Sequence, residues 1–116
     1  MVIDDKRKLK RHRLIYYLRV CSMPSGLLLG HLIDITPAGI LIVGESLLTV
    51  EQDFDLHMDL PGDIQGKGSI LFQARCIWSR KDPAPSFYAS GFQFGRVAPE
   101  DMHIIASLIQ DCGCYE

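Results

Sequence analysis

The sequence predicts a mostly β fold: a small antiparallel barrel of about six strands with one C-terminal α-helix and a basic N-terminal arm. Three observations carry that expectation. Phe54, Leu56, Met58 and Leu60 alternate with Asp53, Asp55, His57 and Asp59, the period of a strand with one wet face. Other strand-like runs follow at short spacing between turn residues, and closing such strands on themselves removes exposed edges. After Pro99 the apolar period changes to that of a helix. The chain has 116 residues, 47% of them hydrophobic, which is one domain's length with enough apolar content for a core.

In chain order, residues 1–13 hold little apolar content beyond Val2, Ile3 and Leu9 and read as a flexible basic arm; residues 14–116 read as one folded domain. Residues 14–21 are rich in β-branched and aromatic side chains and form the first expected strand. Met23-Pro24-Ser25-Gly26 is a turn, residues 27–35 the second strand, residues 39–43 the third and residues 45–52 a loop. The alternating strand over residues 53–60 is expected to turn at Pro61-Gly62-Asp63. A long strand follows over residues 68–80, then a loop at Asp82-Pro83-Ala84-Pro85, then a last strand over residues 87–96. Pro99 opens a helix over residues 99–110, with Glu100 and Asp101 suited to its positive end. Met102, Ile105, Ala106 and Ile109 recur at helical spacing and are expected to cover one end of the barrel, and Gly113 is a natural stop.

Composition narrows the function classes. No apolar run is long enough to span a bilayer and the start is charged, so the expectation is a cytoplasmic protein without membrane insertion. Cys21, Cys76, Cys112 and Cys114 make no disulfide framework, and Cys112-Gly113-Cys114 lacks a second ligand pair at zinc-site spacing, so no metal is expected. His12, His31, His57 and His103 are scattered, and no nucleophile–base order or paired carboxylate points to catalysis. Charge is uneven. Residues 1–20 hold seven Lys/Arg against two Asp, and the remainder holds five against twelve acidic residues. A basic arm on an acidic body points to an anionic partner, although a merely solvated tail, or one docked on its own domain, has the same pattern.

Two short motifs name that partner more closely. Arg7 and Arg11 stand four residues apart in Arg7-Lys8-Leu9-Lys10-Arg11, and Asp34-Ile35-Thr36-Pro37-Ala38-Gly39 interrupts the apolar runs of the second and third strands. Alone, the hexapeptide also reads as a tight turn whose Asp and Thr bond to their own backbone. Together, an arginine pair followed by Asp-x-Thr-x-x-Gly at this interval resembles the PilZ domain family. The resemblance extends to the strand around Ala74-Arg75-Cys76-Ile77-Trp78, to Gly91-Phe92-Gln93-Phe94 and to the helix start at Pro99-Glu100-Asp101.

The resemblance implies a PilZ-like barrel and, as ligand, the bacterial second messenger cyclic di-GMP. It implies that Arg7 and Arg11 grip guanine edges and phosphates, that Asp34 accepts from a guanine, and that Thr36 and Gly39 support the phosphate and its close approach. The chemistry agrees: an arginine fork matches guanine O6 and N7, a carboxylate takes the N1 and N2 hydrogens, and phosphates want charge and donors. Thr in place of Ser keeps the hydroxyl. Trp78 has two readings. It continues the Ile70, Phe72, Ala74, Cys76 alternation as a core residue, or a bulge turns it outward, where an aromatic on this strand stacks on guanine in some family members. The expected function is a cyclic di-GMP receptor that signals to a downstream protein by ordering its N-terminal arm, without a cofactor and as a monomer or homodimer. A PilZ-like adaptor that binds no nucleotide, and a nucleic-acid binder using the basic arm, are the alternatives; the acidic body and the retained arginine pair argue against both.

Overall fold

The fold is taken from a computed structural model, which describes residues 18–64, 66–81 and 86–113. Six strands, β1 (Arg19–Met23), β2 (Leu27–Ile35), β3 (Gly39–Gly44), β4 (Gln52–Ile64), β5 (Lys67–Lys81) and β6 (Tyr88–Phe94), precede a helix, α1 (Pro99–Gly113). Every neighbouring pair is antiparallel, and the strands close in the order β1-β2-β3-β6-β5-β4. The expected arm, the first four residues of the expected first strand (14–17) and the loop at residues 82–85 lie outside the described residues.

Alternation builds the core. Leu56, Met58 and Leu60 of β4 and Ile70, Phe72, Ala74 and Cys76 of β5 all point inward and are buried. They meet Val20 of β1, Leu32 and Ile35 of β2, Ile40 and Ile42 of β3 and Phe92 of β6 in one cluster. Each fully buried Leu, Ile or Phe contributes about 1.5–3 kcal/mol relative to an exposed one. Phe54 and Phe92 meet edge to face with ring centroids 5.5 Å apart, as do Phe72 and Phe94 at 5.4 Å.

Two expectations are corrected. Pro61-Gly62-Asp63 is not the turn: β4 continues through it to Ile64, and the chain reverses next to Gly66, which has φ +82°. The register of β4 on β5 shifts between Asp59 and Ile64, and Gly62 takes φ +133° there. A proline without a backbone donor is tolerated where regular pairing lapses. In α1 the buried stripe is Ile104, Ile105 and Leu108, with Met102 and Ile109 at its margins, whereas Ala106 is exposed. The apolar pair at successive positions sets the stripe, and Ala106 is one step beyond it. Among the described residues no helix is long and apolar enough to cross a membrane.

The start of α1 is tied to the barrel. Lys67 Nζ donates to Asp101 Oδ1 at 2.8 Å and to Glu100 Oε2 at 3.3 Å. Asp101 is buried and lies in the first helical turn, where the helix dipole favours a carboxylate.

Candidate functional site

Two β-bulges make the site. In β2 the pairing to β3 passes from Leu32↔Ile42 to Asp34↔Leu41, which leaves Ile33 as an extra residue. Counting on from buried Leu32, plain alternation would aim Asp34 into the core; the extra residue turns it to the outer face, where it is exposed. In β5 the pairing to β6 passes from Cys76↔Phe92 to Trp78↔Gly91, and Ile77 is the extra residue. Trp78 would otherwise follow Cys76 inward. The bulge places it opposite Gly91, on the outer face, half-buried and outside the core cluster. A Cβ built on Gly91 would come within 2.7 Å of Trp78 Cε2, so the indole lies over this glycine and needs its missing side chain.

The second bulge has an inner consequence as well. It turns Ser79 inward, where its hydroxyl lies 2.8 Å from that of buried Ser90 and accepts the Leu48 backbone N–H at 3.0 Å. Glu51 N–H donates to the Cys76 carbonyl at 2.6 Å. The loop before β4 is thereby fastened to β5 on both sides of Ile77-Trp78. Burial pushes the Cys76 thiol pKa up, and the thiol rests against the Trp78 carbonyl at 3.6 Å. This cysteine is a packing residue and not a nucleophile.

The turn between β2 and β3 is built from its own side chains. Ile35 N–H donates to Asp34 Oδ1 at 2.9 Å. Thr36 Oγ1 accepts from the N–H groups of Ala38 and Gly39, both at 3.2 Å, and Thr36 N–H donates to the Gly39 carbonyl at 2.9 Å. The Ala38 carbonyl accepts from Phe94 N–H at 2.8 Å, which pins the turn to the end of β6. Gly39 is required by packing: a Cβ there would run into the Phe92 carbonyl oxygen on the neighbouring strand. Positive φ plays no part, since Gly39 is not among the residues with that conformation.

These pieces line one open pocket of about 320 Å³, within the range of small-ligand sites. Asp34, Thr36, Gly39, Ile77, Trp78 and Gln93 face it, so four of the six residues singled out in the sequence come together. The other two, Arg7 and Arg11, lie outside the described residues. The wall combines apolar surface, a carboxylate, a hydroxyl turn, an amide and an indole. No cation lines it among the described residues. One Asp34 oxygen accepts within the turn, and the other has no hydrogen-bond partner among the described residues.

Sequence reasoning missed Gln93, Ile77 and Arg80. The Arg80 guanidinium carbon stands over the Trp78 ring, 4.5 Å from its centroid. The signal was available: Arg80 is two residues beyond Trp78 on one strand, hence on the same face.

A mostly β barrel with an Asp-x-Thr-x-x-Gly turn and an outward aromatic beside it defines the class. The PilZ domain family model matches residues 5–111, and the chain belongs to the PilZ domain family, a family of binding domains that includes receptors for cyclic di-GMP. Among solved structures, the inhibitor of motility (MotI/DgrA) of Bacillus subtilis is similar with a TM-score of 0.64 and 18% identity, over 80% of this chain and 45% of that one. At that identity the likeness concerns the fold, and this chain matches less than half of the longer protein. No curated protein matches the chain.

Proposed function

We propose that this chain is a cyclic di-GMP receptor whose nucleotide seats on the outer face of the barrel, between the β2–β3 turn and Trp78. The observation that supports it is the convergence produced by the two bulges. Asp34 and Trp78 both leave the core side and face one pocket, where a carboxylate can accept from a guanine and an indole can stack on its ring. A doubly anionic ligand also needs positive charge, and no described lining residue carries any. Arg7 and Arg11 supply it in this reading, folding over the ligand from the N-terminal side. The sequence has its densest run of Lys and Arg there.

Signalling follows from the same step. The arm gains partners only when the nucleotide is in place, and it then presents a new surface to a downstream protein. Calorimetry with cyclic di-GMP, GMP, cyclic AMP and single-stranded DNA tests the first part. Cyclic di-GMP is expected to bind far more tightly than the others, and equal affinity for DNA at physiological salt refutes the reading. Hydrogen exchange over residues 1–13 tests the second, with protection expected to rise on binding. Unchanged protection leaves the receptor reading standing and removes arm ordering as its output.

A further inference from the structure

We infer that Arg80 is a ligand-binding residue of this site: its guanidinium, which stands over the Trp78 ring, gives up that place to a stacking guanine and takes a phosphate of the same ligand. The inference rests on the cyclic di-GMP reading above and adds a residue to it.

The geometry points this way. The inner side of the indole is taken up by Gly91, over which the ring lies. The guanidinium stands over the same ring with its carbon 4.5 Å from the centroid, where a stacking base would compete with it. Arg80 itself is exposed, and among the described residues no carboxylate lies within 4.0 Å of it. Among the described residues its partner is the Trp78 ring, and Trp78 lines a pocket with no cation among its described lining residues.

An exposed cation–π contact is weaker than the stacking of a base on an aromatic ring, so a guanine can replace the guanidinium. The displaced group stays tethered one strand repeat from Trp78, within reach of the ligand it made way for. A phosphate offers it two acceptors in the geometry of its fork, which the ring does not. The exchange also keeps the indole covered in both states, so Trp78 is never a bare apolar surface.

Calorimetric titration of cyclic di-GMP into the wild-type chain and into Arg80→Ala, Arg80→Lys and Arg80→Glu, at low and high salt, decides the matter, with thermal unfolding of each as control. Arg80→Ala is expected to weaken binding by about tenfold or more, as for loss of a charge-assisted contact. Arg80→Glu should weaken it further, and Arg80→Lys should recover part of the loss because the charge returns without the fork. The affinity of Arg80→Ala should also fall less steeply with salt, which a purely structural role would not produce. If Arg80→Ala binds as tightly as wild type, or more tightly, the guanidinium is only a lid and the inference is wrong. If the wild-type chain takes up no nucleotide, the receptor reading fails first and Arg80 falls with it.

Discussion

The two halves of β5 obey different rules. From Ile70 to Cys76 the strand alternates without a break, and the four inward residues of that stretch are all buried. Beyond Cys76 one extra residue changes the outcome: a tryptophan in step with the core goes to the outer face and a serine comes in. The same contrast separates the wall formed by β1, β4 and the first half of β5 from the wall formed by β2, β3, β6 and the second half. In the first, Asp55, His57 and Asp59 follow the pleat outward and the inward residues make core. In the second, bulges at Ile33 and Ile77 bring Asp34 and Trp78 to one pocket. Regular pleating builds the core here, and two of its interruptions make the site, while the shifts at Val20–Cys21 and Asp59–Ile64 lie outside the pocket.

The largest test of that contrast is a pair of deletions. Removing Leu71 from the regular half shifts every pairing on one side of it and moves core residues to the wet face, so the protein should show no cooperative unfolding transition. Removing Ile77 takes out only the unpaired residue and leaves Trp78 opposite Gly91, so cooperative unfolding should persist. Equal damage from both would mean that the bulge is no natural break in the strand. Next in size is Leu56→Ala, in the regular wall. This side chain is 0% exposed, and truncation should destabilise the fold by about 2–5 kcal/mol in denaturant unfolding. Nucleotide affinity measured on its folded fraction should be unchanged.

Asp34→Ala reverses the pattern. Its side chain is exposed and its one hydrogen bond among the described residues is local, so stability should change little while cyclic di-GMP binding weakens by about 1–3 kcal/mol. Wild-type affinity in this variant would reduce the hexapeptide to a turn.

The smallest effect concerns the helix anchor. Hydrogen bonds to Asp101 and Glu100 hold the Lys67 pKa above its ordinary 10.5. A raised folded value means that the ion pairs stabilise fully below about the ordinary value and are lost as pH climbs through the raised one. Lys67 is a surface group, so the effect is slight. In thermal melts, Lys67→Met should differ from wild type at neutral pH and converge with it only in strongly alkaline solution. A difference that vanishes between pH 6 and pH 8 would show that another group is responsible.

The sequence revealed what depends on local pattern. The alternation at residues 53–60 marks the core face of β4, the glycine and proline at residues 24–26 mark the first reversal, and Pro99 with its acidic neighbours marks the start of α1. What it hid depends on the neighbouring strand. Neither Ile33 nor Ile77 looks unusual in its own segment; each is extra only because of what the adjacent strand places opposite. Trp78 is in step with the core by its own strand, and only Gly91 across from it fixes the outer face. Pro61 and Gly62 carried the composition of a turn, yet the chain uses them to bend a strand whose regular pairing has already lapsed. Thr36 kept two roles as well, since it closes its own turn and faces the pocket at once.

Gly91 and Trp78 also bind two distant codons to a common fate. A side chain at position 91 would collide with the indole, so any residue other than glycine there forces the ring to move. The reverse does not hold, because a smaller residue at position 78 frees position 91 to vary. The order of substitution therefore matters: with the aromatic removed first, position 91 can be filled without a clash, whereas a tryptophan introduced against a filled position 91 must take another place.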